Sequence, residues 1–322
     1  IRHAGIGRYI AEYLKRVVKT QDLQFSLVCA DEAQVRELLE PIASVDRQRI
    51  RTTISPIRHY SIAEQLRLPA VFNELDLDLL HVPHFNVPME YRRPLVVTIH
   101  DLLWHSTRGT TVTTLASWQY WLKYGAYRAT VSATIGRAQR IFIPTQFVAD
   151  TISHHYPWAT KKLVVTYEGV GEQFVPNPKV RRASDQLLYV GSLYPHKNVV
   201  VILDALQQLP DYKLAIVGAR DAFSEELDRQ VTARGLSERV QMVGKVTDAS
   251  LVEWYQHCTT LIQPSTSEGF GLTGIEALAC GAPLIASDIP VFREVYGEAA
   301  VFFDPARAQE LVSAIKQVST EK

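Results

Sequence analysis

At 322 residues, with 47% hydrophobic and 21% charged side chains, the chain has the make-up of a soluble globular protein of about two domains. Its 34 Lys and Arg balance 34 Asp and Glu, which argues against a nucleic-acid binder working through bulk charge. The three cysteines, Cys29, Cys258 and Cys280, form no CxxC and no Cys/His cluster of zinc-ligand spacing, so no metal site is expected and a reducing, cytoplasmic setting is the simplest reading. No apolar run approaches the roughly 20 residues that span a bilayer, and no signal peptide is visible. The chain opens at Ile1-Arg2-His3 without Met, so an N-terminal piece is expected to be missing.

The first pattern is Gly5-Ile6-Gly7-Arg8-Tyr9 followed by Ile10, Tyr13, Leu14 and Val17 at helical spacing, a glycine turn opening an amphipathic helix. Ile10 stands where a dinucleotide fingerprint needs its third glycine, so that motif is incomplete. The turn suits either a diphosphate or a plain helix start. Strand patterns follow at Phe25–Ala30, Leu77–Pro83, Pro94–Ile99, Arg140–Thr145 and Lys162–Tyr167, with a helix from Glu32 to Leu39. The run Pro94–Ile99 is continuously apolar, as in a parallel strand covered on both faces, and it ends in His100-Asp101. A histidine at the carboxyl end of a buried strand sits where active sites form; the alternative is a hydrogen-bonded structural histidine. Residues 115–138 read as a long helix carrying Trp118, Tyr120, Trp121, Tyr124 and Tyr127 with Lys123 and Arg128. That composition fits an aromatic-basic face for a membrane surface, or aromatics that are simply core.

A polar, proline-bearing stretch, Val175 to Asp185, separates residues 1–175 from a more regular second half, 183–322. There, strands at Gln186–Gly191, Tyr212–Gly218, Val240–Gly244, Thr259–Ser265, Ala282–Ser287 and Ala300–Asp304 alternate with helices at Val199–Leu209, Ser224–Arg234, Ser250–His257, Thr273–Cys280 and Val291–Val295. Such alternation predicts a parallel sheet with right-handed crossovers. The first half has a rougher version of the same rhythm. The predicted fold class is therefore α/β, with two Rossmann-like domains whose parallel sheets face a central cleft.

Two stretches of the second half carry chemistry. Gly191-Ser192-Leu193-Tyr194-Pro195-His196-Lys197-Asn198 closes a strand and places Lys197 just before a helix, where it suits a phosphate. Alone, a lysine there is more often a solvated surface lysine; the glutamate segment on a nearby strand end favours the ligand role. In Glu268-Gly269-Phe270-Gly271-Leu272-Thr273-Gly274-Ile275-Glu276, two acids flank a glycine-rich turn between a strand and a helix. Glycines let a ligand approach the main chain, and the amides of Phe270, Gly271, Leu272 and Thr273 at a helix start suit an anion. Thr273 to Glu276 also fits a capping box, in which Glu276 satisfies only its own helix.

Taken in order, Gly5-Ile6-Gly7-Arg8-Tyr9, Tyr189-Val190-Gly191 through His196-Lys197-Asn198, and Glu268 to Glu276 resemble the group 1 family of retaining glycosyltransferases with the two-domain GT-B fold. The resemblance covers essentially the whole chain and is strongest from Pro264-Ser265 to Ala282-Pro283. His81-Val82-Pro83-His84-Phe85-Asn86 and Thr98-Ile99-His100-Asp101 are similar to mannosyltransferase-like members.

The resemblance implies a donor site. Glu268 would hold the donor sugar's hydroxyls and Glu276 the ribose. Lys197 and the backbone from Gly269 to Thr273 would stabilise the diphosphate, with Gly191 and Ser192 alongside. Gly5 and Gly7 would let the first domain close over that diphosphate, and His100 would contact the sugar near the reacting carbon. The implied catalytic set is His100, Glu268 and Lys197. Implied partners are a GDP- or UDP-linked sugar and a glycan or lipid-linked acceptor, as in polysaccharide biosynthesis. No cofactor or metal is implied, nor any nucleic acid; peripheral contact with the inner membrane face stays open. Base selection would rest on main-chain contacts near Val243-Gly244-Lys245-Val246. Two departures stand out: His196 and Ser192 occupy positions where relatives carry Arg, and the family's first β-strand, expected before Gly5, is absent, which would leave the first sheet without a central strand. A nucleotide-sugar epimerase, a phosphorylase and a non-catalytic binding protein on the same fold remain the alternatives.

Overall fold

In the computed structural model, residues 4–106, 117–220 and 222–320 are described. They fall into two compact units that divide between Tyr167 and Glu168, ahead of the polar stretch expected to be the linker. That stretch packs with the second unit: Gln256 donates to the Val175 carbonyl at 2.8 Å, and the Ala183 amide to the His257 carbonyl at 2.8 Å.

In the first unit, strands β1 (Phe25–Cys29) and β2 (Ile50–Ile54) form a parallel pair. Strands β3 (Leu80–Val82), β4 (Leu95–Thr98), β5 (Arg140–Ile143) and β6 (Leu163–Val165) form a separate parallel sheet in that order. Helices α1 (Ala4–Val17), α2 (Glu32–Leu39), α3 (Ser44–Arg47), α4 (Ile62–Glu74), the short α5 (Leu103–Ser106), α6 (Ser117–Arg137) and α7 (Gln146–His155) complete this part of the chain, α5 grouping with the second unit. All four residues of β4 are buried, as its unbroken apolar run predicts. Leu95 and Val97 join Val131, Ile135, Ile141, Ile143 and Ile152 in one core. Gly5 and Gly7 do not form a turn ahead of the helix; they lie in the first two turns of α1 itself.

The second unit holds one six-stranded parallel sheet in the order β12-β11-β10-β7-β8-β9. These strands are β7 (Gln186–Val190), β8 (Lys213–Val217), β9 (Val240–Gly244), β10 (Thr260–Gln263), β11 (Leu284–Ser287) and β12 (Val301–Phe303). Helices α8 (Val200–Leu206), α9 (Ser224–Ala233), α10 (Asp248–His257), α11 (Leu272–Ala279), α12 (Pro290–Tyr296) and α13 (Ala308–Thr320) connect and cover them. The six predicted strands are all present, each within two residues at either end. β7 is the strand where the order reverses: β8 and β9 build out on one side, β10 to β12 on the other. The carboxyl ends of β7 and β10 therefore flank the switch point, the place where open α/β sheets bind ligands.

Candidate donor site

The loop after β7 and the loop after β10 meet at this switch point. The first runs through a short 3-10 turn, Pro195–Lys197, that ends at Asn198 in a left-handed conformation (φ 52°). Asparagine tolerates that geometry better than most residues, and its side-chain amide is tied to the Pro305 carbonyl at 2.9 Å. The turn is stitched to the second loop by the Thr266 amide, which donates to the His196 carbonyl at 2.8 Å. Lys197 Nζ consequently lies 2.6 Å from Glu268 Oε1, which also accepts from Ser265 Oγ at 2.8 Å. Lys197 is thus no solvated surface lysine. Both partners keep some exposure, 22% and 15%, so the pair sits at the surface of the switch point.

The positive charge here comes from Lys197 without help from its neighbour. Burial first, and then the Lys197 charge, pull the His196 pKa down to about 4, so the imidazole is neutral at physiological pH.

Beside the ion pair, α11 starts at Leu272 with Gly271 as its N-cap (φ 99°). A Cβ at Gly271 would collide with the Tyr296 hydroxyl and one at Gly274 with both that hydroxyl and Gln263, so glycine is required at each. The capping-box expectation fails: Thr273 lies inside the helix, where its Oγ1 accepts from Gln263. By helix geometry the amides of Leu272 and Thr273 have no partner within α11.

A buried network sets the direction of these amides. The Tyr296 hydroxyl is bonded to Gln263 Oε1 and donates to the Gly271 carbonyl at 2.7 Å. Burial, with the Glu268 charge next, holds the Tyr296 pKa well above its usual value, so the hydroxyl stays protonated. Sequence reasoning passed over Tyr296 and Gln263, yet Gln263 left a signal as a polar residue inside a buried strand. Tyr296→Phe should raise KM for a nucleotide-linked donor about tenfold, the value of one lost bond that positions charge-binding amides, with a smaller change in kcat. Steady-state kinetics against donor concentration checks this, and an unchanged KM would reduce the network to a packing role.

Glu276 is on the opposite side of the first turns of α11 from solvent. It has no exposed surface, and its Oε2 accepts from the Tyr255 hydroxyl at 3.0 Å. Tyr255 is itself fully buried. Gly191 and Ser192 line the loop after β7, whose shape is fixed by the Tyr189 hydroxyl bonding the Ser192 carbonyl. A Cβ at Gly218 would strike the Gly191 carbonyl, so β7 and β8 approach backbone to backbone at their carboxyl ends. Phe270 is buried beside Gly269 in the same turn.

The first unit has its own polar cluster at the carboxyl ends of β3 and β4. Thr98 Oγ1 is 2.9 Å from His81 Nε2 and 3.0 Å from the Tyr9 hydroxyl. The His100 ring meets the Tyr9 ring edge-on at 4.8 Å, and Tyr13 meets His81 at 5.1 Å. Burial, with His100 as the second cause, lowers the His81 pKa to about 4. α1 supplies both tyrosines, so the helix carrying Gly5 and Gly7 also packs against His100.

Residues 3–174 match the family model described as Glycosyltransferase Family 4, and residues 173–322 match that of Glycosyl transferases group 1. The O-antigen chain mannosyltransferase RfbU of Salmonella typhimurium is 30% identical over 193 residues, which is 60% of this chain and 54% of that protein. The match thus spans about half the length of this curated relative. The O-antigen chain mannosyltransferase B of Escherichia coli is 23% identical over 338 residues, 97% of this chain and 86% of that one. Among solved structures, WaaG, a glycosyltransferase involved in lipopolysaccharide biosynthesis, superposes with a TM-score of 0.75 at 13% identity, covering 100% of this chain and 88% of its own. The HepE protein of Anabaena, solved in complex with UDP and glucose, gives 0.73 at 21% identity over 98% and 86%. Two family models that together run from residue 3 to residue 322, the first alone covering more than half of the chain, establish that it belongs to the group 1, family 4 glycosyltransferases with the GT-B fold.

Proposed function

We propose that the chain transfers a hexosyl group from a nucleoside-diphosphate sugar to a glycan or lipid-linked acceptor with retention of anomeric configuration. The carrying observation is the Lys197–Glu268 ion pair at the switch point, beside the glycine-capped start of α11. As the sugar–phosphate bond breaks, negative charge grows on the departing diphosphate. Lys197 and the amides of Leu272 and Thr273 are preorganised to stabilise that charge where it develops. Glu268 pairs with Lys197 at 2.6 Å; on donor binding the lysine turns to the phosphates and the carboxylate to the sugar hydroxyls. The acceptor attacks from the face the leaving group departs, which retains configuration without using the two glutamates as a glycosidase-like pair.

Mannose is the proposed sugar, because the relatives RfbU and mannosyltransferase B are both named for it. GDP is the proposed carrier, and UDP is the second candidate. Glu276, buried under Tyr255, meets the ribose in this reading only after the residues covering it shift. His100 is proposed as a sugar-contacting residue. No cofactor enters the proposal, and the reaction is placed at the cytoplasmic face of a membrane.

Thermal denaturation in the presence of GDP, UDP, ADP and their sugars tests the donor class. A ligand that binds only the folded state raises the midpoint in proportion to the logarithm of its concentration. A shift with GDP and GDP-mannose is expected. A flat response to every nucleotide would remove the donor site, and with it the proposal.

A further inference from the structure

The proposed transfer chemistry does not use one buried carboxylate of the first unit. Glu64, in the first turn of α4, is 2% exposed. A capping box would return its carboxylate to the amide of the cap residue, Ser61. Ser61 Oγ does accept from the Glu64 amide at 3.1 Å, but the Glu64 carboxylate goes elsewhere. Its Oε2 accepts from the Tyr60 amide and from Asn86 Nδ2, each at 2.7 Å, and its Oε1 is 3.1 Å from His59 Nδ1. A second tie runs beside it, from the Met89 amide to Gln65 Oε1 at 3.0 Å. The carboxylate thus clamps the loop after β2 to the loop after β3, which its own helix does not require.

The clamp holds an aromatic residue in a strained backbone conformation. Tyr60 has φ 58°, in the left-handed region, where a bulky residue is an outlier. Such strain collects at ligand-binding positions. Tyr60 is 67% exposed, and its ring meets the His84 ring edge-on at 6.0 Å. The Asn86 amide donates to His84 Nδ1 at 3.1 Å, so in the neutral ring the proton is on Nε2, 3.3 Å from the Tyr60 hydroxyl. Nε2 therefore donates and Tyr60 accepts, which leaves the tyrosine's own proton for a ligand. Behind this pair, His84 packs on Phe85 at 4.0 Å and Phe85 on Tyr127 at 5.2 Å. The charge of Asp101, after β4, is felt at the hydroxyls of both Tyr60 and Tyr127. Loops after three strands thus gather an exposed ring and a polar rim at the carboxyl ends, where α/β sheets bind ligands. An aromatic face bordered by hydroxyl, imidazole and carboxylate suits a pyranose, whose C–H face packs on the ring while its hydroxyls bond the rim. Lys197 and Glu268, which serve the donor, belong to the second unit. We propose that Tyr60 stacks against a pyranose ring of the acceptor and that Glu64 is the positioning residue that holds Tyr60 for it, an assignment that rests on the proposed glycan acceptor.

Saturation-transfer NMR with the methyl α-glycosides of mannose, glucose, galactose and N-acetylglucosamine reads sugar binding without turnover. At least one glycoside should take up saturation from the wild-type chain. Glycine adopts the left-handed backbone freely, so Tyr60→Gly should keep the thermal midpoint while weakening that glycoside about tenfold, as expected for the loss of one aromatic contact and one hydrogen bond. Glu64→Gln, and Asn86→Ala as a milder cut of the same tie, should each weaken it by about threefold or more. In the Tyr60→Gly background neither should weaken it further, because Glu64 acts through Tyr60; a merely structural Glu64 would exert its effect in both backgrounds and lose the assigned role. No signal from any of the four glycosides overturns the proposal. So does a signal that Tyr60→Gly leaves unchanged, since the sugar would then bind elsewhere, at Glu268 for example. The thermal shift with GDP should be the same in wild type and in Tyr60→Gly. A wild-type chain that ignored every nucleotide yet bound a glycoside through Tyr60 would overturn the donor site and leave this one standing, which separates the two failures.

Discussion

Lys197→Ala should lower kcat by about 100- to 1000-fold, the usual cost of removing one preorganised group that meets charge developing in a transition state. The geometry sets the scale. His196 is neutral, so no second side-chain cation in this turn stands in for the lysine. The amides at the start of α11 remain, which keeps the residual rate above zero. Glu268→Gln should separate the two halves of the pair. Without the carboxylate at 2.6 Å, nothing competes with the diphosphate for Lys197 and the diphosphate no longer meets a like charge. Nucleoside diphosphate should therefore bind several-fold more tightly to Glu268→Gln than to wild type, while sugar transfer falls. Calorimetric titration with the diphosphate and radiolabelled-sugar transfer read the two effects on one protein. If Lys197→Ala transferred sugar at the wild-type rate, the ion pair would be a structural clasp between the β7 and β10 loops and nothing more. If Glu268→Gln lost diphosphate affinity, the carboxylate would be holding the lysine in place rather than competing for it.

Much of the second unit could be read from its residues because β8, β10 and β11 are short, mainly apolar strands that are buried along almost their whole length. Lys197 and Glu268 were legible as members of one site because each follows a strand end and the family resemblance assigns both to the donor. What the residues did not reveal is the scaffold under them. Tyr296 lies 25 residues beyond Gly271 in sequence, and only the packing of α12 against α11 brings its hydroxyl to that carbonyl. Thr273 and Glu276 have the spacing of a capping box, but the left-handed Gly271 starts the helix two residues earlier and displaces the pattern. The first unit was harder. β2 has no buried residue and is exposed at Arg51, Thr52 and Ile54, so it lacks an apolar run. α4 contains Pro69, which breaks the helical reading. α7 announces itself only through Thr145, whose side chain caps the Val148 amide at 3.2 Å. α3 is a single turn, and α13 was left without an element although its apolar stripe, Leu311, Val312, Ala314 and Ile315, is buried at helical spacing.

Acidification should destabilise both units in a window set by two histidines. His81 in the first unit and His196 in the second are held neutral, each with its pKa lowered from 6.5 to about 4 by burial and then by a neighbouring charged or chargeable group. Above pH 6.5 folded and unfolded chains are both neutral at these sites, so neither histidine affects stability there. Between 6.5 and about 4 the unfolded chain takes up protons that the folded chain refuses, and stability falls as the pH falls. The loss is complete below about 4 and amounts to about 3 kcal/mol for each group. His59 acts in the other direction. Its bond to Glu64 raises its pKa, so it adds stability that is fully present below 6.5 and disappears as the pH rises through the raised value. The net slope is still downward toward acid, because two groups oppose one and both have large shifts. Urea unfolding between about pH 7 and pH 5, where carboxylates are still mostly ionised, isolates the histidines. His81→Gln and His196→Gln should each flatten the dependence for their own unit, since glutamine cannot titrate. A wild-type stability that did not change across this window would mean that both imidazoles are solvated enough to protonate in the folded chain. Their place at the strand ends would then be one that solvent reaches, and His196 would carry positive charge to the diphosphate at mildly acidic pH, in addition to Lys197.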